Sequence, residues 1–226
     1  MSEFYGSYDA FKNYRRPVLK AKHVRRYDRE FWEPMACRTH MAVLEIGCGT
    51  GLFLAYLKAK GVAEFLGIDL DPALAPHIPP EAADRFRAGD VRDFLAADAE
   101  GRRFDRVAMY DVLEHFTHED GAHLLRSLGA VLNPGARVLV KVPNMGSPWG
   151  GQYQFGDMTH KAAYSPSSLR QLALACGFVC TRCLPHRLGS PSRQVFDRML
   201  HGVLGRLVMT PPEIWSANVF AVFDKS

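Results

Sequence analysis

The residues best suited to chemistry begin at a glycine-rich turn, Gly47–Gly51, which follows an apolar segment. Glycines at alternate positions let a backbone turn tightly and approach a ligand without Cβ clashes. The dinucleotide pattern G-x-G-x-x-G would need glycine at position 52, where Leu52 stands. Glu45 beside the turn would also repel a pyrophosphate. The turn therefore disfavours NAD and suits a ligand that carries a cationic amine or sulfonium.

Acidic residues follow the next predicted strands along the chain. Asp69 ends Gly67-Ile68-Asp69, Asp90 stands before Val91, and Asp111 follows Tyr110. A carboxylate at a strand end can accept hydrogen bonds from both hydroxyls of a ribose. A carboxylate can accept a hydrogen bond from the amino group of adenine, and a neighbouring backbone N–H can donate one to a ring nitrogen. Acids at the ends of successive strands therefore favour a nucleoside-type ligand at one edge of the sheet.

Apolar segments that alternate with helical stretches must position these residues. Such alternation predicts parallel βαβ units in a doubly wound α/β fold, whose ligands bind at the carboxyl ends of the strands. The predicted strands are Met41–Ile46, Glu64–Ile68, Arg85–Ala88, Phe104–Met109, Ala136–Val142, Phe178–Leu184 and Asn218–Phe223. The predicted helices are Leu52–Lys60, His118–Leu132 (closed by Asn133-Pro134-Gly135), Ser165–Ala175 and Val195–Met209.

In this order the motifs LEIGCGTG, GIDLDP, AGDV, FDRVAMYDVLEHF and LNPGARVLVKVPN resemble those of class I S-adenosylmethionine-dependent methyltransferases, over about Met41–Ala175. The resemblance implies S-adenosyl-L-methionine as cofactor and a Rossmann-like, mostly parallel seven-stranded sheet. We expect one domain over 1–226, with a cofactor half at about 41–142 and an acceptor loop at about 143–164. A basic N-terminal helix would precede it, and C-terminal helices and strands would occupy 165–226.

The resemblance also assigns cofactor contacts residue by residue. The glycines would flank the methionine part, Asp69 would bind the ribose, and Asp90 with Val91 would bind the adenine. Tyr110 and Asp111 would lie beside the methionyl end. The implied cofactor-binding residues are Glu45, Gly47, Cys48, Gly49, Gly51, Asp69, Leu70, Asp90, Val91, Tyr110 and Asp111.

An oxygen acceptor needs a base, because a hydroxyl is a poor nucleophile until it is deprotonated. His115 follows the fourth strand and His160 lies in the long loop after the fifth. Asp157 or Glu114 would orient an imidazole, so we predict His160, His115 and Asp157 as catalytic. The alternative is that Glu114 and His115 only shape the pocket wall. In a metal-assisted alternative, Asp111, Asp157, His115 and His160 would coordinate Mg²⁺ or Mn²⁺ and so acidify a sugar hydroxyl. Nothing in the local spacing indicates that these side chains converge on an ion, so no metal ligand is predicted.

A finer resemblance concerns the acceptor. Four segments are similar to a methyltransferase subgroup associated with surface-polysaccharide (O-antigen-type) biosynthesis: Asp157–His160, Tyr164–Leu169, Cys176–Phe178 and the C-terminal Ser216–Val222. This implies O-methylation of a sugar or glycan hydroxyl. Aromatic side chains of the acceptor loop would stack on a sugar ring or would simply pack the loop. They are Trp149, Tyr153 and Phe155.

Three cysteines offer a rival interpretation. Cys176, Cys180 and Cys183 have the spacing that holds a four-iron cluster in radical enzymes. A cluster needs all three thiolates to converge, whereas an odd separation within a strand sends Cys180 and Cys183 to opposite faces. We therefore expect them to pack as small hydrophobic residues.

Composition and charge define the class of protein and its partners. With 47% hydrophobic and 23% charged residues, no long apolar run and no apolar core in Met1–Ala10, the chain reads as a globular cytoplasmic protein. Residues 12–29 hold eight Lys and Arg, from Lys12 to Arg29, against one acid, Asp28. We interpret them as the solvated face of an amphipathic helix, with an anionic partner as the alternative.

The acceptor is expected to be a small molecule or glycan. Nucleic acid is not expected, because the fourth strand lacks an NPPY-like motif, although the basic stretch keeps it as an alternative. A catalytically inactive cofactor-binding scaffold is a further alternative. Core packing is the default for the apolar stripe of Val195–Met209, and a peripheral membrane contact or a homodimer interface is its alternative.

Overall fold

The computed structural model describes residues 14–225, so the predictions for Met1–Ala10 and Lys12 lie outside the described residues. Strands and α-helices alternate along most of this range. The strands are β1 (Val43–Ile46), β2 (Phe65–Asp69), β3 (Phe86–Ala88), β4 (Phe104–Tyr110), β5 (Leu132–Pro143), β6 (Phe178–Pro185) and β7 (Asn218–Lys225). The α-helices are α1 (Ala21–Tyr27), α2 (Leu52–Ala59), α3 (Val91–Ala96), α4 (His118–Ala130), α5 (Gly151–Gln154), α6 (Pro166–Ala175) and α7 (Pro191–Leu207).

One sheet contains all seven strands, in the order β3-β2-β1-β4-β5-β7-β6. Strands β1 to β5 pair in parallel, whereas β7 lies antiparallel between β5 and β6. The strand order reverses at β1 and β4, so their carboxyl ends flank the crevice where doubly wound sheets bind ligands. The predicted α/β, mostly parallel seven-stranded fold is confirmed.

Two apolar layers cover the two faces of this sheet, because alternate side chains of each strand point to opposite faces. Leu44 and Ile46 of β1 pack with α3, α4 and α6 on one face. Val43 packs with α1 and α2 on the other face. Both layers consist of buried apolar side chains, and together they fix the strand ends that carry the predicted site.

The basic N-terminal segment forms α1 and continues as a π-helical turn, Asp28–Trp32. Tyr27 and Phe31 are buried and make edge-to-face contacts with Phe53 of α2, at 5.0 and 4.8 Å between ring centroids. The predicted amphipathic helix is therefore present, and its apolar side packs against the sheet layer beneath the glycine turn.

Two predictions of local structure are wrong. Asn133-Pro134-Gly135 was expected to follow a helix ending at Leu132, but α4 ends at Ala130 and these residues lie inside β5. The pairing with β4 is irregular there, between Phe104 and Arg106, and this irregularity accommodates the proline and a left-handed Gly135.

The apolar stripe of α7 was expected to pack in the core, yet no residue of α7 is buried. Phe196 and Met199 are each about two-thirds exposed, at 66% and 67%. The helix touches the acceptor loop instead, through a hydrogen bond of 3.1 Å from Trp149 Nε1 to His201 Nε2. None of the helices in residues 14–225 has the length and apolar character that crossing a bilayer requires.

Candidate functional site

A cavity of about 320 Å³ lies over the glycine turn, and we refer to it as the turn cavity. The ends of β1 and β4 form its floor, and α1 and the segment after β6 form its walls. Its lining residues are Arg26, Tyr27, Glu30, Glu45, Gly47, Cys48, Gly49, Thr50, Leu52, Phe53, Tyr110, Asp111, Lys141, His186 and Leu188. Six predicted cofactor residues thus come together here: Glu45, Gly47, Cys48, Gly49, Tyr110 and Asp111.

The backbone of the turn accounts for its glycines. Gly47 has φ +70, and a Cβ there would lie 2.4 Å from Cγ2 of Val112, so only glycine fits. Gly49 has φ +52 with open space beside it. Its N–H donates a hydrogen bond of 2.8 Å to Oδ2 of Asp69, which joins the turn to the end of β2.

Glu45 is the buried acid of the turn cavity. Among the described residues its Oε2 has no hydrogen-bond partner. Burial, with a further contribution from Asp69, holds the pKa of Glu45 well above its ordinary range. A cationic group bound in the turn cavity would reverse this effect and favour the ionised carboxylate.

Five predicted cofactor residues do not line the turn cavity: Gly51, Asp69, Leu70, Asp90 and Val91. Asp69 adjoins it through Gly49, and Leu70 at the same strand end is 46% exposed. Asp90 instead caps α3, accepting a hydrogen bond of 2.8 Å from the N–H of Arg92 and an ion pair from its guanidinium. Its adenine contact stays a prediction, and the exposed Arg92 would have to release the carboxylate.

Nine lining residues were not among the predicted cofactor residues, and four of these carry a charged or imidazole side chain: Arg26, Glu30, Lys141 and His186. Arg26 belongs to the basic stretch, and its Nε lies 3.7 Å from Oε2 of Glu30. On the opposite side, Nε2 of His186 lies 3.4 Å from Oε1 of Glu30. The high density of arginine in α1 was the available signal, but it did not distinguish the one guanidinium that turns inward.

A second cavity of about 320 Å³, the loop cavity, lies between the end of β4 and the predicted acceptor loop. It is lined by Asp111, Glu114, His115, Lys141, Pro143, Gln152, Tyr153, Gly156, Asp157, His160 and Asn218. All three predicted catalytic residues are among them. Nine of these eleven residues have side chains that can form hydrogen bonds, which suits a hydroxyl-rich ligand.

Asp111 and Lys141 line both cavities and mark where they meet. Asp111 has a left-handed backbone with φ +55, an uncommon conformation for a residue other than glycine. Its carboxylate pairs with the ammonium of Lys141 at 2.5 Å. Strained backbone of this kind clusters at functional sites, where the surrounding structure enforces it.

Glu114 forms a buried wall of the loop cavity. Neither of its carboxylate oxygens has a hydrogen-bond partner among the residues described. Burial, followed by the nearby Asp111, raises the pKa of Glu114 to about 8. Its backbone carbonyl accepts hydrogen bonds from the N–H groups of Lys161 and Ala162, at 2.7 and 3.1 Å, and so holds the acceptor loop in place.

His115, Asp157 and His160 converge in the loop cavity, although their spacing had given no indication of it. Each offers a ligand-type atom, and these atoms lie within 4.8 Å of one another. The two imidazoles meet edge to face, with 4.7 Å between ring centroids. Thr159 links the other pair: its hydroxyl lies 2.9 Å from Nδ1 of His115 and donates to Oδ1 of Asp157 at 2.5 Å.

The loop aromatics are not packed into the protein interior. Tyr153 lines the loop cavity and is 41% exposed, whereas Phe155 points to solvent. Trp149 is also partly exposed and donates to His201 of α7. Tyr153 is thus the one of the three that contacts the cavity.

The cysteines correct one argument made from the sequence. Sγ of Cys180 and Sγ of Cys183 lie 3.7 Å apart, because an irregularity in β6 between Cys180 and Arg182 puts them on one side. Cys176 is buried elsewhere, with its Sγ against the carbonyl of Ala122. Within residues 14–225 the three thiols form no metal-binding group.

Two adjoining cavities with different linings suit a reaction between two ligands. The turn cavity presents carboxylates and backbone donors, and the loop cavity presents imidazoles and carboxylates. A group held by one ligand at Asp111 and Lys141 would face the other directly. The arrangement suits group transfer by positioning, in which most of the acceleration comes from alignment.

Comparison with protein families gives one match over most of the chain. A family model described as a methyltransferase domain matches residues 12–182. Among curated proteins, the chloroplastic tocopherol O-methyltransferase of Arabidopsis thaliana is 33% identical over 102 residues, which are 43% of this chain. The matched part is only 29% of that relative's length.

Solved structures share the fold at low sequence identity. A SAM-dependent methyltransferase from Archaeoglobus fulgidus superposes with a TM-score of 0.68 at 19% identity, covering 99% of this chain and 100% of its own. Magnesium protoporphyrin IX methyltransferase from Synechocystis PCC 6803, with bound SAH, gives a TM-score of 0.61 at 14% identity and covers 99% and 96%.

Proposed function

This chain belongs to the methyltransferase-domain family, and from that premise we propose that it transfers a methyl group from S-adenosylmethionine to a hydroxyl oxygen of a sugar or glycan. The observation that carries the proposal is the meeting of the two cavities at Asp111 and Lys141. The cofactor would occupy the turn cavity and the acceptor the loop cavity. The reactive sulfonium and the acceptor oxygen then face each other across this junction.

The turn cavity supports the cofactor part of the proposal through its charges. The ammonium of the cofactor would lie toward Glu45 and the glycine turn, where a cation relieves the buried acid. Arg26, whose guanidinium lines the same cavity, suits the cofactor's carboxylate. Asp69 would bind the ribose, and exposed Leu70 offers an apolar surface for the adenine.

Methyl transfer is an in-line displacement at carbon. A lone pair of the acceptor oxygen forms the new O–C bond, while the S–C bond breaks and its electron pair stays on sulfur. The hydroxyl proton must leave the oxygen. His115, Asp157 and His160 are the groups that would assist its departure, because they line the cavity in which the acceptor lies.

The choice of a sugar or glycan rests on the loop cavity. Its polar wall offers hydrogen-bond partners to several hydroxyls, and Tyr153 presents an aromatic surface on which a sugar ring can stack. The subgroup resemblance in Asp157–His160 points to the same acceptors.

A labelled-methyl assay tests the proposal. The purified protein is incubated with S-adenosylmethionine labelled at the methyl carbon and with separate panels of sugar nucleotides, oligosaccharides, phenols and RNA. We expect label on a sugar oxygen, and His160→Gln should lower kcat by about 100-fold or more. His123→Gln, on the exposed side of α4, is the matched control and should keep full activity.

Each other outcome is informative. Label on a phenol or on RNA would overturn the sugar acceptor while leaving methyl transfer intact. Cofactor binding without transfer to any panel would favour the inactive scaffold.

A further inference from the structure

We infer that His115, Asp157 and His160 form a binding site for a divalent first-row transition-metal ion. The binding of the ion does not depend on the proposed function. Only the role of the ion, which is to hold the acceptor oxygen, rests on that function. The sequence predicts no metal ligand and leaves Mg²⁺ or Mn²⁺ at these residues only as an alternative.

Distance is the first support. The three ligand atoms lie within 4.8 Å of one another. Ligands of a tetrahedral Zn²⁺ at about 2.1 Å are about 3.4 Å apart. A contraction of up to about 1.4 Å between ligand atoms, within reach of side-chain rotations, would therefore close the site around an ion.

The hydrogen bonds around the histidines favour the tautomers that a metal needs. Thr159 donates its only hydroxyl proton to Asp157, so its oxygen accepts from Nδ1–H of His115. Nδ1 of His160 lies 3.0 Å from the carbonyl oxygen of Gln154, which can only accept. Both rings therefore carry their proton on Nδ1 and direct the Nε2 lone pair elsewhere. Such outer hydrogen bonds are typical of metal-ligating histidines.

The backbone holds these side chains from both sides. His115 is the last residue of a 3-10 turn, Leu113–His115, which begins two residues after the end of β4. The N–H of Phe116 donates a hydrogen bond to the carbonyl of Leu113 and closes this turn. The loop bearing Asp157 and His160 is anchored by the two hydrogen bonds from Lys161 and Ala162 to the carbonyl of Glu114. Two separate segments are thus tied together at the point where the ligands meet, as a preorganised site requires.

The donor set selects the class of ion. Two imidazoles and one carboxylate are suited to Zn²⁺, Mn²⁺, Fe²⁺ and Co²⁺, whereas Mg²⁺ and Ca²⁺ prefer oxygen ligands alone. Three protein ligands leave coordination positions open. All three proposed ligands line the loop cavity, where a hydroxyl of the acceptor would enter. The bound ion would acidify that hydroxyl, and its proton would pass to water as the O–C bond forms.

Co²⁺ binding tests the inference without measuring activity. The protein is freed of metal with a chelator and titrated with Co²⁺, and the visible absorption of the bound ion is followed. We expect saturation at one equivalent for the wild type. His160→Gln and Asp157→Asn should each weaken binding at least about 10-fold. His123→Gln should change nothing, and Cys183→Ser excludes binding by the thiol pair.

Thr159→Val tests the role of the hydrogen bonds. Thr159 is buried and would act on the ion only through His115 and Asp157, so valine should weaken Co²⁺ binding by about 10- to 100-fold. Thr159→Ser keeps the hydroxyl and should restore affinity. A merely structural threonine would give equal affinities in both variants.

Binding of S-adenosylhomocysteine to the same variants separates this inference from the proposed function. Two outcomes would overturn the metal site alone. One is normal binding of S-adenosylhomocysteine without any binding of Co²⁺, and the other is Co²⁺ binding that survives both His160→Gln and Asp157→Asn. An intact Co²⁺ site without any binding of S-adenosylhomocysteine would overturn the proposed function and leave the metal site standing.

Discussion

Glu45 is the residue whose protonation should report cofactor binding. Burial raises its pKa in the free protein, and a nearby ammonium should lower it again. Binding of S-adenosylhomocysteine should therefore release a proton, and the affinity should increase with pH below the range where the ligand's own amine titrates. Calorimetry across pH and in buffers of different ionisation enthalpy measures both effects.

Glu45→Gln is the control for this prediction. The amide keeps the shape of the side chain and cannot titrate, so both the proton release and the pH dependence should disappear. A wild-type affinity that is flat with pH would show that the ammonium does not lie near Glu45.

Single residues were predictable where one strand end presents them. The ends of β1 and β4 brought Glu45 and Asp111 to one cavity because parallel strands end at the same edge of a sheet. His115 and Thr159 are 44 positions apart, and nothing local shows that the acceptor loop folds back onto the end of β4. Arg26 was missed because charge density does not show which face of α1 a guanidinium occupies.

At the scale of elements, α1 should stabilise both the fold and the turn cavity. Phe31 is fully buried against Phe53 of α2, so Phe31→Ala should lower the free energy of unfolding by about 3–5 kcal/mol. Denaturant unfolding measures this change. Exposed Val18→Ala is the matched control and should stay within about 0.5 kcal/mol.

Phe31→Ala should also weaken binding of S-adenosylhomocysteine. The π-helical turn that carries Phe31 continues directly from α1, whose Arg26 lines the turn cavity. Destabilisation with unchanged affinity would mean that α1 does not form a wall of the occupied site.

Elements were predictable where apolar periodicity coincides with burial. The strand segments were identified because both sheet faces are covered, which makes their sequences continuously apolar. Asn133-Pro134-Gly135 failed as a stop signal because an irregular pairing lets β5 begin before it. The apolar periodicity of α7 correctly predicts a helix. It does not show whether the apolar face of that helix packs in the core or is exposed.

For the whole molecule, the apolar face of α7 is exposed, and we expect it to contact a lipid surface. The helix carries Arg193, Arg198 and Arg206 against one acid, Asp197, so its charge complements an anionic lipid surface. We expect the protein to float with phosphatidylglycerol vesicles and not with phosphatidylcholine vesicles. Phe196→Glu should abolish flotation, because it introduces a like charge on the face that would enter the lipid.

The control for the lipid prediction is Leu174→Glu, which alters an equally exposed leucine on α6. It should leave flotation unchanged. The prediction would be contradicted if the protein did not float with vesicles, eluted from gel filtration as a dimer, and became a monomer on Phe196→Glu. That result would assign the α7 face to a second copy of the chain.

The measurement that tests the central claim most directly is a calorimetric titration of S-adenosylhomocysteine into wild type, Asp69→Ala and His160→Gln. If the cofactor fills the turn cavity and the acceptor the loop cavity, the wild type binds saturably with one site. Asp69→Ala then loses binding, and His160→Gln keeps it. Absence of wild-type binding, or loss in His160→Gln with retention in Asp69→Ala, would contradict the assignment of the two cavities.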